Sequence, residues 1–348
     1  MGLLAGSGLY STIPAVARAA GAIDIHAHYF PERYLELIER AGGAFGASID
    51  RSNPTGPAIV MRGSRTPPLD VTYWDLDRRR RAMDKQGVAV HTLSLTVPMV
   101  YFADGEIGQR LAEAVNDSMS EAHRAFPDRF VGCATLPMQD PKRALAELER
   151  AAALPGIKGV YLGTNVNGRV LSDATFAPIF AACEARRLPV LLHPLNVIGA
   201  DRLGAFYLNN LLGNPFDTAV AAAHLVFGGV LDRHPKLEVC LPHAGGAMPY
   251  LVGRLQHGQR VRPENHKVAK KPFAAYLRRF TYDTISHAPQ SMRYLIDLVG
   301  ADRVMLGSDY CFDMGPARPR EIVDRQLRLS AADRARILSG NARRLLGL

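Results

Sequence analysis

Ala22-Ile23-Asp24-Ile25-His26-Ala27-His28 is the stretch from which the rest of the chain can be read. It is a short apolar run ending in a histidine pair. In an extended strand residues two apart share a face, so His26 and His28 project side by side. Two neutral imidazoles presented together are half of a divalent-metal site, because ring nitrogens are good ligands for zinc and similar ions. The pair alone decides little in a chain of 348 residues with 11 histidines. Its weight depends on whether further donors stand at equivalent places later on.

Similar runs do recur. Ala22–His28, Val88–Leu95, Phe130–Leu136, Gly159–Gly163, Pro189–His193, Leu237–Pro242, Phe280–Ile285 and Val304–Gly307 read as strands. Between most of them lie amphipathic segments, Gly108–Ala125, Pro141–Ala153, Phe176–Arg187 and Pro289–Val299, with apolar residues at steps of three and four. Strands alternating with helices predict parallel pairing through crossover helices. Eight such units predict an α/β fold, a (β/α)8 TIM barrel. An open doubly wound sheet fits less well, since no G-x-G-x-x-G follows the first run.

Two connections exceed a turn. Ala41–Asp70 contains Asn53-Pro54-Thr55-Gly56-Pro57 and predicts a small irregular insertion after the first strand, with a hairpin through Ala58–Arg62. Asn196–Pro215 is expected to lie over the barrel mouth. Ser330-Ala331-Ala332-Asp333 has the N-cap pattern of a last helix. Without a linker or low-complexity tract, residues 22–348 read as a single domain. Residues 1–21 read as an N-terminal extension. Ala17-Arg18-Ala19 resembles an export cleavage site, but the basic segment such a signal requires is missing, which favours a cytoplasmic protein over the alternative, an exported one whose extension is the remnant of a longer signal.

Composition narrows the function classes. The 47% hydrophobic and 22% charged content is that of a soluble globular protein, with no apolar stretch long enough for a membrane span. The net charge of +9 is scattered, and Arg78-Arg79-Arg80-Arg81 reads as a solvated helix face rather than a nucleic-acid patch. A mild positive field suits an anionic small substrate. Cys133, Cys183, Cys240 and Cys311 are too dispersed for a disulfide framework or zinc knot and read as free thiols, mostly buried.

Polar residues end four of the predicted strands: His26 and His28 the first, His193 the fifth, His243 the sixth and Asp309 the eighth. In a parallel barrel the C-terminal strand ends surround one mouth, where such enzymes place their chemistry. Five metal-competent or proton-transferring side chains therefore converge there.

The order H-x-H, then His193, then His243-Ala244-Gly245-Gly246, then Gly307-Ser308-Asp309-Tyr310 resembles the amidohydrolase superfamily. Within it the chain is most similar to the branch containing aminocarboxymuconate-semialdehyde decarboxylase and decarboxylases of hydroxybenzoates. The likeness runs from Ile23 to Ser339-Gly340-Asn341-Ala342 and is strongest in Leu241–Arg254 and Asp302–Phe312. It implies one divalent ion, zinc or alternatively manganese, held by His26, His28, His193 and Asp309, with His243 as catalytic acid/base and Asp309 combining ligation with proton transfer. It implies that Arg254 reaches the site of a second subunit in a homodimer. Arg suits that role because its planar fork can grip a carboxylate. Arg65 is a second candidate clamp, although the family's arginine stands a residue or two away, and His287 is a candidate substrate contact.

Two departures matter. Binuclear members carry a carboxylated lysine at the end of the fourth strand, whereas Lys158 stands at the start of that strand and Gly163-Thr164-Asn165 ends it, so a single ion is expected. Cys311 occupies a position that is usually proline. The expected activity is non-oxidative decarboxylation of a small aromatic or muconate-type carboxylic acid, the ion activating water or substrate. The alternative is a hydrolase or hydratase acting on a lactone, amide, carbon–carbon bond or unsaturated diacid at the same site. A metal-retaining binding protein would have no use for His243.

Overall fold

The computed structural model describes residues 21–61, 64–265 and 268–348. The extension assigned to residues 1–21 lies, but for its last residue, outside them. Eight strands form one sheet: β1 Ala22–His28, β2 Val88–Ser94, β3 Phe130–Thr135, β4 Ile157–Gly163, β5 Val190–His193, β6 Val239–Leu241, β7 Phe280–Asp283 and β8 Val304–Met305. They pair in chain order, and every neighbouring pair is parallel. The last strand meets the first. Ile25 N donates to Leu306 O at 2.9 Å, Asp309 N to His26 O at 2.9 Å, and His28 N to Tyr310 O at 2.5 Å. These bonds close the sheet into the predicted barrel.

Local chemistry explains the elements. All seven residues of β1 are buried, as a strand with the barrel interior on one side and helices on the other requires. The helix Leu76–Gln86 is capped by the Asp75 side chain, which accepts from Arg78 N, and ends at Gly87 with φ +69°. Asp104 and Asp140 cap Gly105–Ala125 and Pro141–Ala152 in the same manner, accepting from Ile107 N and Arg143 N. Ser330 accepts from Asp333 N to start Ala331–Ala335. Asn341, in the final helix Asn341–Leu346, donates to Ala301 O and Val304 O at 2.8 and 2.7 Å and so anchors that helix to the start of β8.

β6 and β8 are shorter than expected, β8 because side chains take over its ladder. Gly307 N donates to Thr284 Oγ1 at 3.1 Å and Ser308 N to Asp24 Oδ1 at 3.1 Å, where backbone acceptors would otherwise sit. The insertion is larger than the predicted hairpin. Ala47–Asp50, Ala58–Met61 and Ser64–Arg65 form a three-stranded antiparallel sheet. The Asn196–Pro215 segment reaches the mouth, as expected, through Tyr207, Asn209 and Asn210. It is pinned by Asp217, which accepts from Ile198 N at 3.2 Å.

The four arginines need correction. Arg79 is fully buried, while Arg78 and Arg81 are exposed and Arg80 is half-buried. Leu76, Arg79 and Met83 share one helical face at steps of three and four, and that face packs on the barrel. The four cysteines are free: Cys133, Cys183 and Cys240 are buried and Cys311 is partly buried.

Candidate metal centre

β1, β5 and the turn after β8 bring one cluster of donors together at the C-terminal mouth. One ligand atom each from His26, His28, His193 and Asp309 lies within 4.8 Å of all the others, and all four residues are buried. Among the described residues this is the one such group. His26 Nε2 and His28 Nε2 are 3.0 Å apart, and His28 Nε2 is 2.9 Å from Asp309 Oδ1. His26 Nε2 is 3.5 Å from the same oxygen.

The outer ring nitrogens are already occupied. His26 Nδ1 lies 2.8 Å from Asp283 Oδ2, His28 Nδ1 lies 3.2 Å from Ser94 Oγ, and His193 Nδ1 lies 2.8 Å from Thr96 Oγ1. With a carboxylate at Nδ1, His26 carries its proton there and turns an unprotonated Nε2 inward. Two inward Nε2 lone pairs 3.0 Å apart repel unless a cation lies between them. That spacing matches two donors each about 2.1 Å from one ion.

Electrostatics favour the ligating forms of His28, His193 and Asp309, whereas at His26 burial is outweighed by the Asp283 and Asp309 carboxylates, which raise the pKa. Burial pushes the His28 imidazole down to about 4 and that of His193 well below its ordinary value, so both are neutral near pH 7. Burial pushes the Asp309 carboxyl up, yet the hydrogen bond with His28 and the neighbouring imidazoles outweigh it and hold the group ionised.

Asp283 was not singled out from the sequence, although it organises this cluster. Its Oδ2 faces His26 Nδ1 and accepts from His243 N at 2.9 Å. Its Oδ1 accepts from Ala244 N at 2.8 Å and Ile285 N at 3.0 Å. His243 and Ala244 both have left-handed backbone, φ +52° and +56°, and the two amides held by Asp283 stabilise that turn. Asp309 and His287 also leave their strands with φ +58° and +56°. Each of these bends swings a polar side chain over the mouth. A carboxyl-terminated strand, Phe280–Asp283, next to the His243 turn was the signal that could have revealed the role.

His243 lies outside the ligand group but beside it. Its Nε2 is 3.9 Å from Asp309 Oδ2, and its buried Nδ1 has no hydrogen-bond partner. Burial lowers its pKa against the opposing charge of Asp309. The imidazole opens onto a cavity of two lobes, of about 610 and 530 Å³, both bordered by Asp309, Asn210 and Asn214. The first lobe carries His243, His287, Ser286 and Gln290 among apolar side chains such as Ile285, Leu295 and Met314. The second is walled by Phe312, Phe102, Val97 and Tyr207 and carries Arg65.

Arg65 thus borders the cavity, tethered to Asp50 at 2.9 Å, and His287 lines the other lobe. Arg254 lines neither. It is exposed on the helix Met248–Val261, one turn beyond Tyr250, which is 86% exposed. Lys158 is the second residue of β4, at the opposite end from the cluster, and the end of that strand offers Thr164, whose hydroxyl donates to Asp217. Cys311 lines neither lobe; it lies against Thr72 O and the Arg79 guanidinium.

Comparison with known proteins places this architecture. A family model described as amidohydrolase matches residues 23–348. The chain is 33% identical over 330 residues to 2-amino-3-carboxymuconate-6-semialdehyde decarboxylase of Dictyostelium discoideum, covering 94% of this chain and 91% of that protein. Among solved structures, the IDCase of Metarhizium anisopliae in apo form superposes with a TM-score of 0.85 at 25% identity, over 96% of this chain and 99% of that one. A dihydroxybenzoic acid decarboxylase of Polaromonas sp. JS666, with bound manganese and the inhibitor 2-nitroresorcinol, superposes at 0.78 with 28% identity, over 94% and 97%.

Proposed function

The chain belongs to the amidohydrolase family, and from that premise we propose that it is a divalent-metal-dependent, non-oxidative decarboxylase of a small aromatic or muconate-type carboxylic acid. The observation that carries the reading is the convergence of three imidazoles and one carboxylate beside His243 and a lobe walled by Phe312, Phe102 and Tyr207. His26, His28, His193 and Asp309 are the proposed ligands of one ion, zinc or manganese. The manganese in the Polaromonas relative keeps both in view. When bound, the ion acts as a Lewis acid that polarises a substrate oxygen.

The chain's own groups supply the rest. Phe312, Phe102 and Val97 take a flat conjugated body and exclude water from one side of it. In the reaction the bond from ring or chain carbon to carboxyl breaks, its electron pair stays on that carbon, carbon dioxide leaves and a proton takes its place. His243, beside Asp309, is the proton carrier: the neutral imidazole takes a proton from solvent and delivers it to the carbon, returning to its neutral form. Arg65 and His287 bind the remaining acidic or hydroxyl groups. We assign Arg254 to a homodimer contact through which it reaches the partner's cavity. Exposed Tyr250, Tyr294 and Leu211 around the first lobe give such a contact apolar area.

The test is a panel of hydroxybenzoates and muconate-like acids offered to protein reconstituted with zinc or manganese, scored for carbon dioxide and for hydrolysis products. Carbon dioxide release matched by the proton-substituted product supports the proposal. Hydrolysis or hydration products without carbon dioxide would assign the site to the other reaction.

A further inference from the structure

The fully buried Arg79 is a charge for which the proposed chemistry has no use. It contacts neither cavity lobe, and among the described residues no carboxylate lies within ion-pairing distance of it. Taking an unpaired guanidinium out of water is costly unless its donors are well placed. Nη2 reaches the barrel seam, Nη1 faces His91 on β2, and the buried Nε is left without a partner. Nη2 donates to His28 O, to Tyr73 O at 3.5 Å and to Cys311 Sγ at 3.4 Å, and Nη1 lies 3.4 Å from His91 Nδ1. The guanidinium carbon stands 5.0 Å from the Tyr310 ring centre and 5.9 Å from that of Tyr29.

Three of these partners belong to ligand-bearing backbone. His28 is a candidate ligand on β1, and Tyr310 and Cys311 directly follow the candidate ligand Asp309 after β8. Inside the seam, His28 N donates to Tyr310 O and Asp309 N to His26 O. Arg79 grips the same two segments from outside, so the 2.9 Å separation of His28 Nε2 and Asp309 Oδ1 is held between two sets of bonds. A simple anchor for the helix Leu76–Gln86 would need only an apolar side chain like its neighbours Leu76 and Met83. A guanidinium whose Nη2 reaches the His28 carbonyl on β1 and the Cys311 sulfur in the turn after β8 does something an apolar residue cannot.

We propose that Arg79 is a positioning residue of the metal centre, fixing the spacing between the ligand pair on β1 and Asp309 by clamping the His28 carbonyl to the Tyr310-Cys311 segment. The assignment rests on the metal reading of the site. It acts on metal affinity through backbone spacing and involves no contact with substrate.

The experiment compares Arg79→Lys and Arg79→Met with Arg129→Lys as control. Arg129 is nearly as buried and donates to Ala89 O and Val88 O at the start of β2 and to Asp84 on the helix Leu76–Gln86, away from the cluster. Manganese and zinc dissociation constants are measured by competition with a chelator, and melting of the metal-free proteins is followed in parallel. Both Arg79 variants are expected to weaken metal binding roughly 10- to 100-fold, the usual loss when a group supporting a ligand is removed. Arg129→Lys lowers the metal-free melting midpoint and leaves affinity within about twofold. Arg79 variants that melt earlier but bind metal as tightly as wild type overturn the assignment. Should neither variant fold, the double substitution Tyr310→Leu/Cys311→Ala removes the clamp's hold on that segment with Arg79 in place. Affinity reduced roughly fivefold or more supports the clamp, and affinity within about twofold of wild type overturns it. Wild-type protein that takes up no divalent ion overturns the metal reading together with this one, whereas unchanged affinity in the variants overturns this one alone.

Discussion

Replacing Asp283 by asparagine is the most exacting test of how the centre is built. The carboxylate accepts four hydrogen bonds, two at each oxygen: His26 Nδ1 and His243 N at Oδ2, Ala244 N and Ile285 N at Oδ1. An amide has one oxygen, so in either orientation its NH2 group faces two donors that can no longer be satisfied. Each orphaned buried donor costs about 1–3 kcal/mol, giving roughly 2–6 kcal/mol in all. The two orientations damage different things. With the NH2 toward His26, the imidazole escapes by moving its proton to Nε2, which then cannot ligate. With the NH2 toward Ala244 and Ile285, the left-handed turn that carries His243 loosens. Because His26 and His243 share an oxygen, both losses are partly realised, and metal affinity should fall about 10- to 100-fold. The assay is chelator competition with manganese and zinc on refolding-competent Asp283→Asn, alongside melting of the metal-free protein. Affinity within about twofold of wild type, with a lowered melting midpoint, would show that Asp283 serves only the turn and would refute the argument from ring orientation.

Other perturbations separate the remaining roles. His28→Ala should leave purified protein without metal, whereas wild type should hold about one ion per chain by elemental analysis; two ions per chain would contradict the single-ion assignment. His243→Asn should keep its metal and lose roughly 10²–10⁴ in kcat, the usual contribution of general acid–base catalysis, and loss of metal in that variant would make His243 a ligand. Arg65→Gln should raise KM roughly tenfold with kcat nearly unchanged, the lower end for a charge-assisted contact at a half-exposed side chain; an equal fall in kcat and kcat/KM would move Arg65 from binding to the chemical step. Arg254→Ala mixed with His243→Asn should recover activity above either parent if each cavity takes its arginine from the partner subunit, and no recovery counts against that arrangement.

The barrel and the donor cluster were legible because both rest on short-range signals. β1, β4, β5 and Pro289–Val299 fall within a residue or two of where apolar periodicity puts them, and a donor directly after an apolar run marks a strand end. Asp283 and Arg79 escaped for opposite reasons. An aspartate after a strand looks the same whether it ligates, caps a turn or orients a ring, and only the approach of β1 to β7 decides which. Arg79 sits in a run of identical residues, where the eye sees a solvated face. The spacing Leu76, Arg79, Met83 does carry the inward face, but it takes the helix docked on the barrel to show that a charge can occupy it. The insertion sheet was underestimated because its strands are two to four residues long, too short for alternation to stand out.

The closure between first and last strand has a consequence for biosynthesis. Asp24 and Ser308, bonded across that seam, are 284 residues apart, and His28 and Asp309 are 281 apart. A chain emerging from the ribosome N-terminus first exposes β1, with its buried histidines and apolar residues, long before its partner exists. That strand must wait unpaired on one edge, the part of a sheet most prone to errant association. Once β8 arrives, the ion proposed between the two strand ends would fasten the earliest and latest synthesised parts of the barrel to each other. Metal supply during translation would then govern the yield of soluble protein as well as its activity.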